Sequence, residues 1–176
     1  MSNLNDNDLA LIFGRRSVRI FSPGEVDEAA MRQLLEAAMA APSAMTKDPW
    51  RFAVVRRKET LEALGVILPG GKMLPTAALA ILVCGDLEAA FEKNISYLLQ
   101  DCSAAIENLL LAAHGLGLGA CWVGVHPGVE SVRKVRELIG LPENIVPVAA
   151  IAVGRPGERL PARTRYIEAS VHFEKW

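Results

Sequence analysis

Apolar and polar positions recur along this chain with two periods. Apolar residues spaced three or four positions apart predict amphipathic helices, and short unbroken apolar runs bounded by turns predict buried strands. On this basis helices are predicted over 8–16, 28–40, 59–65, 94–114 and 129–139, and strands over 51–56, 78–84, 120–125 and 145–153. Helices and strands interleave without a simple alternating repeat, which favours a three-layer α+β or α/β domain.

Three of these elements have informative patterns. The run over 78–84 is continuously apolar, which predicts a strand buried on both faces. The helix over 94–114 is apolar around most of its circumference, which indicates a central position or an interface. The helix over 28–40 has Asp27 as a capping residue, and its inward-facing positions are predicted to be Met31, Leu34, Leu35, Ala38 and Met39.

Length and composition predict one domain over residues 1–176. Apolar residues make up 51% of the chain, which excludes disorder and slightly exceeds the ordinary share. No apolar run approaches the roughly 18 residues of a membrane span, so no membrane association is predicted. The apolar surplus is expected to be buried against a partner subunit or a cofactor.

Charge and cysteine content narrow the range of partners, metal sites and locations that this protein can have. The net charge of −1 argues against a nucleic-acid partner. The three cysteines lack zinc-type spacing, and the isolated histidines predict no metal site. The polar, acidic residues 1–8 do not resemble a secretory signal, so a cytoplasmic protein with reduced thiols is expected.

Arginine accounts for 13 of the 19 basic residues, and its densest cluster lies at residues 15–19. Alternate residues of an extended segment share a face, so Ser17 and Arg19 could converge on one anion, with Arg15 joining from the preceding helix. The alternative is a set of cations that stabilises a helix C-terminus through the macrodipole. Spacing alone leaves both interpretations open.

Four other segments are weaker candidates for contact with a ligand or a partner. The proline-bounded loop over 42–49 could approach a planar ligand, and Lys72 could reach an anion, although a simple connection and a solvated lysine are the plain alternatives. The glycine at 124 could permit close approach of the backbone or only end a strand. The tail over 155–176 is basic but also rich in large apolar residues, so it is expected to pack on something, such as a second subunit. No nucleophile motif, phosphate-binding loop or carboxylate pair accompanies these residues, a pattern that suits a cofactor-dependent protein.

Four segments in a fixed order resemble the FMN-dependent nitroreductase family, and the resemblance covers nearly the whole chain. These segments are Arg15-Arg16-Ser17-Val18-Arg19, the loop 42–50, the helix and strand over 100–124, and Ala152-Val153-Gly154-Arg155-Pro156. The chain is similar to a compact member that lacks long helical insertions. The resemblance implies an α+β, three-layer α/β/α fold with a central, mostly antiparallel sheet, in a domain-swapped homodimer with FMN sites at the interface.

The resemblance also implies which residues contact FMN. It implies that the phosphate and ribityl chain are bound by Arg15, Arg16, Ser17 and Arg19, and that Arg163 and Arg165 form a second basic pair at the phosphate. It also implies that the flavin ring is contacted by Lys72 and by the strand end at Trp122, Val123 and Gly124. From the other subunit, the loop contributes Pro42, Ser43, Ala44 and Thr46.

The loop departs from the family pattern at two positions. Relatives commonly have Asn where this chain has Thr46, and Gln where it has Asp48. Thr46 retains a hydrogen-bonding group with a shorter reach. Asp48 replaces a neutral amide by a carboxylate, which puts a direct flavin contact there in doubt and could change the choice of substrate.

The activity implied by the resemblance is a ping-pong transfer of hydride from NAD(P)H, through FMN, to nitroaromatics, quinones or similar small acceptors. No protein residue is assigned a catalytic role, since the flavin carries the chemistry. The alternatives are a flavin enzyme of the same fold with other chemistry, such as dehalogenation or dehydrogenation, and a non-catalytic flavin-binding module.

Overall fold

The structure, a computed structural model, describes residues 9–176, and the part of the chain over 1–8 lies outside it. Its centre is an antiparallel sheet built from β2 (Trp50–Val55), β3 (Leu79–Asp86), β4 (Gly119–Gly124) and β5 (Ile145–Pro156). The strand order is β2–β3–β5–β4, so β5 lies between β3 and β4. The two-residue strand β1 (Phe21–Ser22) pairs with the end of β5.

Five α-helices surround this sheet within the described residues, and their bounds follow local signals. They are α1 (Ala10–Gly14), α2 (Glu28–Met39), α3 (Lys58–Ile67), α4 (Ile95–Gly115) and α5 (Val129–Ile139). The side chain of Asp27 accepts a hydrogen bond from Ala30 N and so caps α2, as predicted. Asn94 caps α4 in the same way, and Gly140 ends α5 in the left-handed conformation.

Alternate residues of β3 separate two apolar layers. Ile81 and Val83 belong to the core beneath α2 and α4, whereas Ala80 and Leu82 belong to the core beneath α3 and α5. Every residue of β3 except Asp86 is buried, so the strand is covered on both faces as its continuous apolar sequence predicted. The predicted three-layer fold with a mostly antiparallel sheet is confirmed.

The structure corrects several local predictions. The first helix ends at Gly14 and not at residue 16, because Arg15 is already extended. Met39 is 51% exposed, so its predicted inward orientation is wrong. The strand predicted to end at 153 continues to Pro156, where it pairs with Phe21.

Beyond β5 the tail is mostly irregular, with one short 3₁₀ turn at Glu168–Ser170. Its large apolar side chains are exposed in the single chain, and the exposed set is Tyr166, Ile167, Val171, Phe173 and Trp176. Across residues 9–176, every helix is too short or too polar to cross a lipid bilayer.

Candidate functional site

The arginine-rich segment lies against the start of β4. Ser17 forms a parallel bridge with Ala120, and the N–H of Val18 donates to Ala120 O over 3.0 Å. These contacts fix residues 17 and 18 beside β4, and residues 15–19 lie outside any helix. The segment is therefore attached to the sheet and is not the end of a longer helix.

The first part of the tail folds back onto the same segment. The carboxylate of Glu158 accepts hydrogen bonds from the backbone N–H groups of Arg19 (2.6 Å) and Ile20 (3.1 Å). Further along, Arg163 N donates to Phe13 O over 3.0 Å, and the guanidinium of Arg16 donates to a tail carbonyl, Pro161 O. These bonds bring the tail arginines beside the N-terminal ones.

A cavity of about 340 Å³ lies between the two segments. Five guanidiniums and one hydroxyl line it, from Arg15, Arg16, Ser17, Arg19, Arg163 and Arg165. Guanidiniums bind phosphate through paired charge-assisted hydrogen bonds, so this donor set suits a phosphate group. The six residues predicted to bind the phosphate end of a cofactor lie together.

One of these cations is partly neutralised. Arg15 Nε lies 3.1 Å from Glu107 Oε1 on α4, and both side chains are partly exposed. The pair attaches Arg15 to α4, and a ligand phosphate would compete with Glu107 for the same guanidinium.

A second cavity, of about 390 Å³, adjoins the first and shares Arg19 with it. Lys72 lines this cavity together with the apolar side chains of Ile20, Phe21 and Met73. Lys72 therefore lies near the arginine cluster, as expected for a residue that contacts the ring of the same ligand.

The residues Trp122, Val123 and Gly124 continue along β4 from the point where Ser17 meets Ala120. Trp122 is 37% exposed and Gly124 is exposed, whereas Val123 is buried. They line neither of the two cavities described above. Each strand residue advances about 3.3 Å, so Gly124 lies about 13 Å beyond Ala120. A ligand would have to extend along the strand to contact them.

The proline-bounded loop lies apart from both cavities, since none of its residues lines them. The Ser43 hydroxyl donates to the Asp48 carboxylate, and Asp48 N donates back to Ser43 Oγ over 3.0 Å. Ala44 N donates to Asp101 Oδ1 on α4 over 2.9 Å. Within a single chain, Pro42, Ser43, Ala44 and Thr46 are therefore not brought to the arginine cluster.

Comparison with known proteins decides the family. The sequence matches the Nitroreductase family over residues 12–68 and 67–155. The chain belongs to the nitroreductase family. The predicted family is thereby confirmed.

Relatives of the nitroreductase chain agree with this assignment. It is 42% identical over 168 residues to a "Putative NADH dehydrogenase/NAD(P)H nitroreductase" of Methanothermobacter thermautotrophicus, with 96% of this chain and 87% of the relative covered. A solved structure under the same description, from Bacteroides thetaiotaomicron, has a TM-score of 0.92 at 37% identity and covers 98% of this chain and 99% of that one. A structure from Desulfovibrio desulfuricans, described as a "putative nitroreductase in complex with fmn", has a TM-score of 0.81 at 32% identity and covers 96% of each chain. These names agree with the predicted enzyme class and cofactor.

The departure from the family pattern at position 48 has a structural role in this chain. The Asp48 carboxylate is engaged by the hydroxyl of Ser43, within its own loop. The two side chains close the loop on itself, so the carboxylate of Asp48 has a hydrogen-bond partner within its own chain.

Three carboxylates of the site were missed by sequence reasoning. Glu107 and Glu158 meet residues 15–20 only through the fold, and no local pattern indicates either contact. Asp101 carried a signal, because it is a charged residue between the apolar positions Leu98, Cys102 and Ala105 of α4. A buried carboxylate at such a position requires a partner, and the partner is the loop.

The cysteines play no part in this arrangement. Burial raises the pKa of Cys84 and of Cys102 to about 12, and burial also raises the pKa of Cys121. Thiols with such pKa values are poor nucleophiles at neutral pH. Among residues 9–176, no cluster of three or more His, Cys, Asp or Glu side chains has the geometry of a metal site.

Proposed function

We propose that this protein is an FMN-dependent oxidoreductase that transfers hydride from NAD(P)H to a small acceptor, a nitroaromatic or a quinone, by a ping-pong scheme. The observation that carries the proposal is the cavity lined by five guanidiniums and Ser17, which shares Arg19 with the cavity that contains Lys72. One elongated anion with a phosphate end and an aromatic end fits these two adjacent spaces.

The donor set supports FMN in particular. A phosphate monoester is a dianion near neutral pH, and the paired N–H groups of arginine match its oxygens. Lys72 lines the second cavity beside Arg19, where its positive charge would stabilise negative charge on a neighbouring ring. When bound, FMN supplies the hydride-accepting and hydride-donating chemistry.

We also propose a homodimer, with each chain forming one domain and residues 155–176 packing on the partner. Tyr166, Ile167 and Phe173 are exposed in the single chain, and such side chains are normally buried. One side of β2 has no strand neighbour among the described residues, which leaves a sheet edge for a partner to cover. In a dimer the loop at 42–48 can serve the partner's flavin, which accounts for its separation from the arginine cluster of its own chain.

The three free, buried cysteines support a cytoplasmic location, as reduced thiols are usual there. The dimer is tested by the mass in solution, which is expected to be near twice 19.0 kDa. A monomeric mass at micromolar concentration would refute it.

The function is tested by the visible spectrum of the purified protein, followed by anaerobic titration with NADH and NADPH. We expect a yellow protein that is bleached by one of the two donors and regains its colour when a quinone or nitroaromatic is added. Parallel lines in double-reciprocal plots would support the ping-pong scheme. A colourless protein that gains no flavin absorbance on titration with FMN would refute the proposal.

Two further outcomes separate the alternatives. A flavin that NAD(P)H reduces, but that no quinone or nitroaromatic reoxidises, would indicate an enzyme of the same fold with other chemistry. A flavin that binds tightly and is reduced by neither donor would indicate a binding module.

A further inference from the structure

Asp101 is a buried carboxylate on the second turn of α4. The other buried residues of α4 are all apolar, and only 5% of Asp101 is exposed. Oδ1 accepts the hydrogen bond from Ala44 N, whereas Oδ2 is buried without a hydrogen-bond partner among residues 9–176. A half-satisfied buried carboxylate is costly compared with an apolar side chain of similar size. Its presence here therefore calls for a reason other than stability.

The loop that Asp101 contacts has an unusual backbone. Met45, Thr46 and Asp48 have φ values of 50°, 53° and 48°, in the left-handed region that side chains other than glycine seldom adopt. Such conformations persist only where the surroundings hold them. The loop is also exposed, with Met45 exposed by 73%, so the core does not provide that support.

Several hydrogen bonds constrain the loop, and they act differently. Thr46 N and Lys47 N close a turn within the loop, and Arg51 Nη1 on β2 donates to Asp48 O at its far end over 3.3 Å. The Ser43–Asp48 pair closes the loop on itself but does not attach it to the rest of the molecule. The Ala44–Asp101 bond attaches the loop to the rigid helix α4, across 57 residues of sequence. Asp101 thus anchors the first half of the loop, at Ala44, to α4.

We propose that Asp101 is a positioning residue that holds the loop at 42–48 in the strained conformation required for contact with FMN. The inference rests on the proposed function, because the loop is assigned to the flavin there. Asp101 does not touch the cofactor in this proposal; it acts through Ala44.

The test compares Asp101→Leu, which has a similar size but no acceptor, with Asp101→Asn, which keeps an acceptor oxygen for Ala44 N. The matched control is Asn108→Leu. Asn108 lies two helical turns further along nearly the same face of α4, and its Nδ2 donates to Ala37 O on α2 over 3.1 Å. This control removes a comparable hydrogen bond between α4 and α2, one that does not involve the loop.

The first measurement is amide hydrogen exchange at Ala44, by NMR on the protein as purified. We expect exchange to be faster by about tenfold or more in Asp101→Leu, and near the wild-type rate in Asp101→Asn and Asn108→Leu. The melting temperature of Asp101→Leu should equal or exceed that of the wild type, since a buried polar group with an unpartnered oxygen is removed. The affinity for FMN should nevertheless fall by about tenfold in this variant and be restored in Asp101→Asn.

Unchanged Ala44 exchange in a folded Asp101→Leu variant would overturn the inference, as would an Asp101→Asn variant as impaired as the leucine variant. A lower melting temperature with an unchanged loop would show a merely structural role and would also overturn it. Asp101→Ala, which adds no bulk, replaces the leucine variant if that protein does not fold. A wild-type protein that fails to bind FMN would refute the proposed function, while the exchange rates would still decide whether Asp101 holds the loop.

Discussion

The carboxylate of Glu107 pairs with the guanidinium of Arg15, with Oε1 and Nε 3.1 Å apart. Glu107 therefore competes with any phosphate for one of the five cations of the site. We expect Glu107→Gln to tighten FMN binding by up to about fivefold, or about 1 kcal/mol, the upper end for partly exposed ion pairs. Fluorescence titration measures this affinity.

Glu36→Gln is the matched control for that variant, because Glu36 pairs with Arg32 on α2, away from the arginine cluster. It should leave the affinity for FMN unchanged. Weaker FMN binding in Glu107→Gln would contradict the prediction and would mean that the pair serves to orient Arg15.

Arg16 and Arg19 are expected to bind the phosphate directly. Replacing either by alanine should weaken FMN binding by about 1.5–3 kcal/mol, which is the contribution of a hydrogen bond to a charged group. Arg32→Ala, on the surface of α2, is the control. If both alanine variants bound FMN as tightly as the wild type, the arginine cluster would have no role in cofactor binding.

Gly119 leaves room for the segment that carries Ser17. A Cβ atom at position 119 would lie 2.7 Å from Val18 Cγ1, and Val18 is held by its bond to Ala120 O. Gly119→Ala should lower the free energy of unfolding by about 1–3 kcal/mol and weaken FMN binding, because Val18 and Ser17 must shift. Chemical denaturation and FMN titration measure the two effects.

Gly115→Ala, at the end of α4, is a milder control, since its added Cβ would lie 3.3 Å from the flexible end of Leu11. It should change FMN affinity little. A Gly119→Ala variant with wild-type stability and affinity would show that Val18 can move freely.

Asp86, at the end of β3, accepts hydrogen bonds from Arg51 Nη2 on β2 (3.0 Å) and from Nδ2 of Asn144, the residue before β5 (2.9 Å). Burial raises the pKa of Asp86, but the Asn144 hydrogen bond and the Arg51 charge outweigh it and hold the pKa below the ordinary value of 3.8. The unfolded chain therefore binds the proton first as the pH falls. The stabilisation is complete well above pH 3.8 and is lost as the pH falls through the lower native pKa.

Asp86→Asn should accordingly lower the free energy of unfolding by about 1–2 kcal/mol at pH 7, with a difference that shrinks toward pH 3. Urea titrations at several pH values measure it. A difference that stays constant across this range would show that the ionisation of Asp86 is not involved.

The three cysteines should be unreactive in the native protein. With the pKa values of Cys84 and Cys102 raised to about 12 by burial, almost no thiolate exists at pH 8. We expect DTNB to modify no thiol in the native protein and all three after unfolding in guanidinium chloride. A thiol that reacts equally fast in both states would contradict this.

Local sequence patterns were sufficient to predict the bounds of those elements whose start and end signals lie next to them in the sequence. The helix over 129–139 was predicted with its observed bounds, because Gly140 supplies a left-handed end. The first helix was predicted to end two residues too late, since residues 17 and 18 bond to Ala120 and Arg15 is already extended. Met39 has the spacing of a core residue but is the last residue of α2 and is 51% exposed.

The pattern of the sequence by itself predicted the layered helices and strands and the arginine cluster at residues 15–19, because periodicity and residue chemistry are local properties. The antiparallel sheet and the candidate roles of Arg163 and Arg165 came from the resemblance to the nitroreductase family. The tertiary structure alone decided which of these residues meet. Arg19 and Glu158 are 139 positions apart, and Ala44 and Asp101 are 57 apart. Such contacts depend on strand order and on where the tail returns, and neither is encoded within a single turn of helix or a pair of strand residues.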